Sequence, residues 1–187
     1  LEAVRIATRS MTPVIVLSDG YLANGAEPWK IPEVIDLPDL TLHQRTDPQG
    51  FHPFLRDPET LARAWAVSGT PGLEHRIGGI EKHADTGNIS YDALNHERMT
   101  HLRASKIARI AFDIPPATVE LGEDQGELLV IGWGSTYGAI REAVTRCRAK
   151  GRQVSHLHLR HLNPLPRGLV ELTAGFPRIL VPELNGG

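Results

Sequence analysis

The sequence predicts an α/β protein that ends in an open parallel sheet of modest size. Three observations support this prediction: short apolar runs rich in β-branched residues, amphipathic helical segments between them, and short turns that join the two. Strand–helix–strand order with short turns favours parallel pairing and right-handed crossovers. The pattern divides the chain into residues 1–25, a crossover over residues 26–91 and an α/β domain over residues 92–187.

The first part is predicted to hold one helix and one strand. Leu1–Arg9 has apolar residues at helical spacing. Pro13–Asp19 is a short β-branched run that suits an inner strand of a parallel sheet, buried on both faces. No capping residue or initiator Met precedes Leu1, and a predicted core strand ends just before the last residues of the sequence. These ends favour a fragment of a longer polypeptide over frayed termini.

The crossover is rich in proline and has little periodicity. Half of the chain's 14 prolines fall between Tyr21 and Gly87, and only Glu59–Ser68 has the spacing of a helix. Its aromatic residues argue against a flexible linker and favour an ordered stretch that wraps a partner surface. These aromatics are Trp29, Phe51, Phe54 and Trp65.

The third part alternates helices and strands. Asp92 or Asn95 is predicted to cap a helix that runs to about Phe112. Its apolar side consists of Met99, Leu102, Ile107 and Ile110, and its basic side of Arg98, Arg103, Lys106 and Arg109. The basic side is interpreted as a solvated face rather than a partner-facing one. The predicted strands are Glu127–Gly132, Val154–Leu159 and Arg178–Leu184, and the predicted helices are Tyr137–Lys150 and Leu169–Ala174. The inward face of Tyr137–Lys150 is predicted to hold Ala139, Ile140, Ala143, Val144 and Cys147.

Composition excludes several classes of protein. Twenty basic residues against 22 acidic ones leave a net charge of -2, which argues against a dedicated nucleic-acid binder or a polybasic membrane binder. The single Cys147 excludes an internal disulfide framework and a cysteine-built metal site in this chain. No apolar run approaches the roughly 20 residues of a membrane span. We therefore expect a soluble, cytoplasmic protein that binds neither nucleic acid nor membranes.

A glycine turn between a predicted strand and a predicted helix has the position of a dinucleotide fingerprint. Gly132, Gly134 and Gly138 form the pattern G-x-G-x-x-x-G, which is one residue longer than the short fingerprint. The next strand ends at Leu159-Arg160, without the acidic residue that would hold a ribose. A tight turn in a sheet domain is favoured over nucleotide binding, which stays open as an alternative.

The other candidates for chemistry are weaker. His156, His158 and His161 could place two imidazoles on one strand face, but satisfied or solvent-facing histidines are favoured over a zinc site. Ser18 and Ser135 lie beside or near glycines, but neither is in the G-x-S-x-G pattern of a nucleophile elbow. Cys147 is interpreted as an inert thiol. No acyl-transfer enzyme is indicated.

A charged, glycine-rich loop over Gly72–Asn88 is the best candidate site. It has few apolar anchors, whereas its glycines allow close backbone approach and its cations suit a carboxylate or phosphate. We predict Arg76 and Lys82 as anion contacts, with His75 as a polar partner. The alternative is an exposed hairpin that contacts another subunit or nothing.

The sequence of this loop, and of the segments around it, resembles a known family. The stretch GLEHRIGGIEKHADTGNISYDALNHERMTHLRASKIARI closely resembles the region that joins two domains in the alpha subunit of 2-oxoacid:ferredoxin oxidoreductases, in particular the 2-oxoglutarate type. The segment MTPVIVLSDGYLANGAEPW resembles the last strand of that subunit's pyrimidine-binding domain. The segments ELLVIGWGSTYGAIREAV, HLNPLP and ILVPELNGG resemble the transketolase-C-terminal-type domain that follows.

The resemblance implies part of a heteromeric, thiamine-diphosphate-dependent enzyme. Such an enzyme oxidatively decarboxylates a 2-oxoacid to an acyl-CoA, here succinyl-CoA from 2-oxoglutarate, with electrons passing to ferredoxin. The implied partner is a beta subunit that holds the diphosphate, its magnesium and an iron–sulfur cluster, within a homodimer of heterodimers. None of these cofactors is held by this chain alone.

The resemblance also limits what can be assigned. The family's cofactor-activating glutamate and its Y-P-I-T-P segment do not occur in this sequence, so the catalytic residues stay unknown and the chain alone should be inactive. Related subunits are expected to carry an acidic residue shortly after the Glu-His pair, where this sequence has Arg76. A positive charge there would suit a substrate with a second carboxylate. A pure subunit-assembly module, in which every charge is structural, remains the alternative function beside the nucleotide-binding domain.

Overall fold

The computed structural model describes residues 1–184 and contains two units. The first unit consists of Leu1–Val16 and Lys30–Ile110, and the second of Leu17–Trp29 and the chain from Ala111 onward. In chain order the elements are α1 (Glu2–Ser10), α2 (Gly20–Asn24), β1 (Gln44–Arg45), β2 (Trp65–Ala66), α3 (Ala93–Arg109), β3 (Val119–Leu121), β4 (Leu128–Trp133), α4 (Tyr137–Ala149), β5 (Val154–Leu159), α5 (Leu169–Thr173) and β6 (Ile179–Leu180). Short 3-10 helices lie at Val34–Asp36, Ile110–Phe112 and Gly134–Thr136.

The predicted N-terminal helix is confirmed, but the predicted strand after it is wrong. Helix α1 buries Ile6 and Ser10 and ends at Met11, which takes the left-handed conformation with φ of 44°. The strand expected at Pro13–Asp19 is irregular, and Ile15 is 83% exposed. A strand of this composition is stable only between neighbours that cover both faces. The part of the chain that the structure describes provides no such neighbours here.

The crossover contains one short parallel pair rather than a helix. Strands β1 and β2 pair in parallel with Gln44 opposite Trp65. The helix predicted over Glu59–Ser68 does not form, because the Asp57 carboxylate accepts the backbone N–H groups of Glu59 and Thr60 in a local turn. Beyond this turn the indole of Trp65 donates to the Thr8 carbonyl oxygen at 2.8 Å. Trp65, one of the side chains that suggested helical spacing, therefore lies in an extended segment and bonds to α1.

Helix α3 is confirmed with Asp92 as its cap, since the Asp92 carboxylate accepts from the Leu94 N–H at 3.0 Å. The apolar side predicted for α3 does lie inward, and Met99 is buried with Phe54 and Ala84. Its basic side is solvated in part, since Arg98, Arg103 and Arg109 are exposed and Lys106 is half-buried. Lys106 donates to the Met11 carbonyl oxygen and Arg109 to that of Glu59.

The second unit is built on a four-stranded sheet in the order β3-β5-β4-β6. Strand β4 pairs in parallel with β5 and β6, as expected, whereas the edge strand β3 was not predicted and pairs antiparallel to β5. The sheet is therefore mixed rather than purely parallel. One face is covered by a cluster that includes Leu129, Leu157 and Phe176, and the other by Ile140 and Val144 of α4.

Two details of this unit differ from expectation. The strand predicted as buried over Arg178–Leu184 is reduced to β6, an edge strand whose side chains are about half exposed, and the residues after 184 lie outside the described part. On α4 only Ile140 and Val144 are buried, whereas Ala139, Ala143 and Cys147 are exposed. A single stripe of α4 thus meets the sheet, because a helix on a flat face needs fewer inward positions than a helix with neighbours on both sides.

No helix among the described residues combines the length and the apolar character needed to cross a membrane.

Candidate functional site

The charged loop predicted from the sequence folds around the side chain of Lys82. The chain turns at Gly78–Gly79, and Gly79 takes a φ of 105° that favours glycine. Lys82 is only 4% exposed, and its ammonium donates to the carbonyl oxygens of Gly78 at 2.7 Å and Ile80 at 2.9 Å. Two of its three N–H groups are thereby used inside the loop, and one remains.

Arg76 meets Lys82 beside Gly79. The point that a Cβ of Gly79 would occupy lies 3.1 Å from the Lys82 Nζ and 3.3 Å from an Arg76 Nη atom. A side chain at this position would therefore intrude between the two cations. Within residues 1–184 neither cation pairs with a carboxylate, and Arg76 makes no hydrogen bond. The arrangement is a glycine-lined cradle with two positive charges that nothing in the described chain neutralises.

His75 is held by separate contacts. Its Nδ1 lies 2.7 Å from the Leu73 carbonyl oxygen, so that nitrogen carries the proton and donates. The ring packs edge-on against Phe51, with the ring centroids 5.3 Å apart. The structure brings Arg76 and Lys82 together, whereas no described contact joins His75 to either of them.

Helix α3 holds the loop through charges and one buried amide. The Glu81 carboxylate contacts His96 at 2.7 Å and Arg103 at 3.2 Å, and Asp85 contacts Arg98 at 3.3 Å. Hydrogen bonds from His96 and then Arg103 lower the pKa of Glu81. Asn95 lies in the same helix, buried, with its amide turned to the loop.

Sequence reasoning missed Asn95 as a site residue and named it only as a possible cap. A polar amide within a helix is unfavourable unless its side chain finds a partner. The position of Asn95 inside a predicted helix was therefore a sign in the sequence that its side chain has a hydrogen-bond partner.

The glycine turn of the second unit serves packing. A Cβ on Gly132 would lie 2.3 Å from the Ile140 Cδ1 and 2.8 Å from the Thr136 Oγ1. The glycine is therefore needed for α4 to approach β4.

A hydrogen bond from Ser135 is the main cause that lowers the pKa of Asp19, whose carboxylate also accepts from the Leu22 N–H. An acidic side chain at this turn opposes phosphate binding, so nucleotide binding is not favoured.

Two of the three histidines noted in the sequence lie together, His156 buried and His158 half-buried. His156 and His158 lie on the α4 side of β5, with ring centroids 6.0 Å apart and Tyr137 against both. Neither ring nitrogen of His156 has a hydrogen-bond partner, and the prediction that these histidines are satisfied or solvent-facing is wrong for His156. Burial lowers the pKa of both side chains.

The histidines do not make a metal site. In the range 1–184 no three His, Cys, Asp or Glu side chains lie close enough to hold a metal ion.

A cavity of about 400 Å³ lies beside the residues that precede β5, lined by Glu123, Gln125, Arg148, Gly151, Arg152 and Gln153. Its two arginines are already paired, Arg148 with Glu123 at 3.7 Å and Arg152 with Glu127 at 3.4 Å. Its charges are balanced, in contrast to those of the Gly79 cradle.

Comparison with known proteins finds similarity over the whole chain, although no family model matches it. The chain is 51% identical over 187 residues to the 2-oxoglutarate oxidoreductase subunit KorA of Mycobacterium tuberculosis, covering 100% of this chain and 28% of that subunit. It is 31% identical over 194 residues to the 2-oxoacid:ferredoxin oxidoreductase 1 subunit alpha of Aeropyrum pernix, covering 99% of this chain and 29% of that one. The chain thus spans less than a third of the length of these relatives.

A solved structure has the same fold. It is a 2-oxoglutarate:ferredoxin oxidoreductase from Magnetococcus marinus with 2-oxoglutarate, coenzyme A and succinyl-CoA bound, and it matches with a TM-score of 0.85 and 31% identity. The match covers 97% of this chain and 32% of that chain. The resemblance read from the sequence and the α/β fold class are both confirmed.

Proposed function

We propose that this chain is part of the alpha subunit of a 2-oxoacid:ferredoxin oxidoreductase whose substrate is 2-oxoglutarate. The observation that carries the proposal is the 51% identity to the mycobacterial subunit over all 187 residues. The fold of the Magnetococcus enzyme, which was solved with 2-oxoglutarate bound, supports it independently of that sequence. In the proposed reaction 2-oxoglutarate and coenzyme A give succinyl-CoA, CO₂ and a proton, and the two electrons released reduce two one-electron equivalents of oxidised ferredoxin.

The cofactors are proposed to be held elsewhere in the assembly. Thiamine diphosphate, when bound, supplies the electron sink for decarboxylation. The described residues do not fit its magnesium ion or an iron–sulfur cluster, because no three metal-ligating side chains come together and Cys147 stands alone. We therefore assign these groups to a beta subunit. The further proposed partners are ferredoxin and a second heterodimer, in the cytoplasm.

The role proposed for this chain is to bind an anionic end of the substrate. Arg76 offers a guanidinium without a partner, and Lys82 offers one remaining N–H from a fixed position. A carboxylate between them would accept charge-assisted hydrogen bonds from both, which are about twice as strong as neutral ones. The second carboxylate of 2-oxoglutarate meets this requirement, whereas pyruvate has none. His75 is proposed as a polar neighbour through its free Nε2.

The charge reversal Arg76→Asp tests this role in the complete subunit assembled with its partner. We expect kcat/KM for 2-oxoglutarate to fall at least about tenfold, since a charged hydrogen bond contributes roughly 1.5–3 kcal/mol. Activity on pyruvate should change by less than about threefold. The exposed Lys150→Asp makes the same change of charge in the other unit and serves as the control.

Equal loss on both substrates, or no loss on either, would remove the assignment. Alanine substitutions from Glu74 to Lys82 separate it from the assembly alternative. A pure assembly module predicts an altered mass of the complex with normal turnover in each complex that still forms.

A further inference from the structure

Asn95 forms two buried hydrogen bonds to the loop that carries the cations. Its Oδ1 accepts from the Ala84 N–H at 3.0 Å, and its Nδ2 donates to the Lys82 carbonyl oxygen at 2.9 Å. The two bonded groups stand on either side of His83. One side chain on α3 therefore fixes the backbone from which the Lys82 side chain projects.

The surroundings of these bonds exclude water. Ala84 is 1% exposed and packs with Phe54 and Met99. Its carbonyl oxygen accepts from Arg56 at 3.0 Å, so both polar groups of this residue depend on side chains. No solvent is at hand to replace the amide of Asn95 if it is lost.

Interaction free energies indicate that Asn95, rather than the surface ion pairs, fixes the conformation of the loop. The Glu81–Arg103 and Asp85–Arg98 pairs lie at the surface, where such pairs contribute about 0–1 kcal/mol. A buried backbone group left without its partner costs roughly 1–3 kcal/mol, and Asn95 satisfies two. We therefore expect the loop to keep its conformation when these ion pairs are removed, but not when the Asn95 amide is removed.

We infer that Asn95 is a positioning residue for the anion-binding cradle, acting through Lys82 and without touching the substrate. The inference rests on the proposed function, because it needs Arg76 and Lys82 to bind the substrate's second carboxylate. It adds that the affinity for this carboxylate is set by the amide in α3, which holds the Lys82 ammonium beside Gly79.

The test uses Asn95→Ala in the complete enzyme with its partner subunit. We expect KM for 2-oxoglutarate to rise about tenfold, with kcat and the KM for pyruvate within about twofold of the parent enzyme. Amide hydrogen exchange over residues 78–90 should become faster in the same variant, and a bound 2-oxoglutarate should slow it less than in the parent. Ser105→Ala, an exposed change in α3, is the control that should alter none of these values.

A second variant guards against a folding defect. Asn95→Asp keeps the shape and the acceptor for the Ala84 N–H but sets a carboxylate oxygen against the Lys82 carbonyl oxygen. It should therefore also raise KM for 2-oxoglutarate selectively. An equal rise for both substrates, or a fall in kcat alone, would overturn the inference, as would unchanged exchange with unchanged KM.

The Arg76 variant separates this inference from the proposed function. If Arg76→Asp discriminates between the two substrates and the Asn95 variants do not, the positioning role fails and the proposed function stands. If neither position discriminates, the anion-binding role proposed for Arg76 and Lys82 fails, and the positioning role fails with it.

Discussion

Lys82 and His156 are the two polar side chains whose surroundings differ most from what their residue types suggest. Lysine and histidine are usually exposed or paired, yet Lys82 is 4% exposed without a carboxylate and His156 is 0% exposed without a hydrogen bond. The Lys82 ammonium donates to carbonyl oxygens of its own loop, which fix it in position. His156 has no such partners, so its burial opposes the charged form.

The stability of the second unit should therefore depend on pH through His156 and His158. Burial lowers the pKa of both in the folded protein, and the charge of Glu120 offsets this only in part. In the unfolded chain the two histidines have the ordinary pKa of about 6.5. Below that pH the unfolded chain takes up protons that the folded chain does not, so the free energy of unfolding falls as pH drops.

Urea unfolding of the 187-residue chain at pH 7.5 and 5.5 measures this effect. We expect a lower free energy of unfolding at pH 5.5, and His156→Phe should reduce the difference because it removes one titrating group. His52→Gln changes an exposed histidine and should keep the difference. A pH dependence that is unaltered in the His156 variant would contradict the prediction.

At the scale of elements, the spacing of apolar residues was enough to predict the helices and strands that pack within their own unit. Helices α1, α3 and α4 and strands β4 and β5 follow from spacing and caps to within a few residues. The segment Glu59–Ser68 shows the limit, because the turn made by Asp57 and the long-range bond of Trp65 override its helical pattern. Strand β3 was missed because a three-residue edge strand has too little alternation to be recognised.

For the candidate site, the sequence named the residues but not their arrangement. Glycine next to cations indicated an anion-binding loop, which stays a prediction, and Arg76 and Lys82 lie close to each other beside Gly79. The sequence could not indicate that Lys82 would be enclosed or that Asn95 would hold the loop. Both depend on how α3 lies along residues 78–90, which spacing alone does not specify.

Packing between β4 and α4 yields a prediction with two glycines. Gly132→Ala places a methyl group 2.3 Å from the Ile140 Cδ1 and should destabilise the chain by about 1–3 kcal/mol. Gly138 lies in α4, and a Cβ added there would have no atom within 4 Å. Gly138→Ala should therefore stabilise the chain by about 0.5–1 kcal/mol. Urea denaturation of both variants gives the two values. Equal effects at the two positions would mean that Gly132 is not there for close packing.

At the scale of the whole molecule, the exposed apolar run at residues 14–17 is the feature that the described chain explains least. Ile15, Val16 and Leu17 are 83%, 72% and 73% exposed. The sequence predicted a strand buried on both faces, and the described residues provide no sheet for it. Such a run is unfavourable in water and typical of a surface that another part of a protein covers.

The substitution Ile15→Asp should therefore act differently in two contexts. In the 187-residue chain the residue is exposed, and the free energy of unfolding should change by less than about 0.5 kcal/mol. In the complete subunit, where we expect a buried strand, the same change should cost about 3 kcal/mol or more, because it buries a charge. Thermal or urea denaturation of both proteins compares them. A silent substitution in the complete subunit would show that the run stays uncovered.

Both cations, the glycine between them and the amide that holds the Lys82 backbone lie on one unbroken stretch from Arg76 to Asn95. On the proposed function, one short replacement of coding DNA would carry the whole charge pattern into a homologous subunit. Preference for a dicarboxylate could then pass between lineages in a single genetic event. A protein engineer could likewise exchange it without redesigning any other subunit.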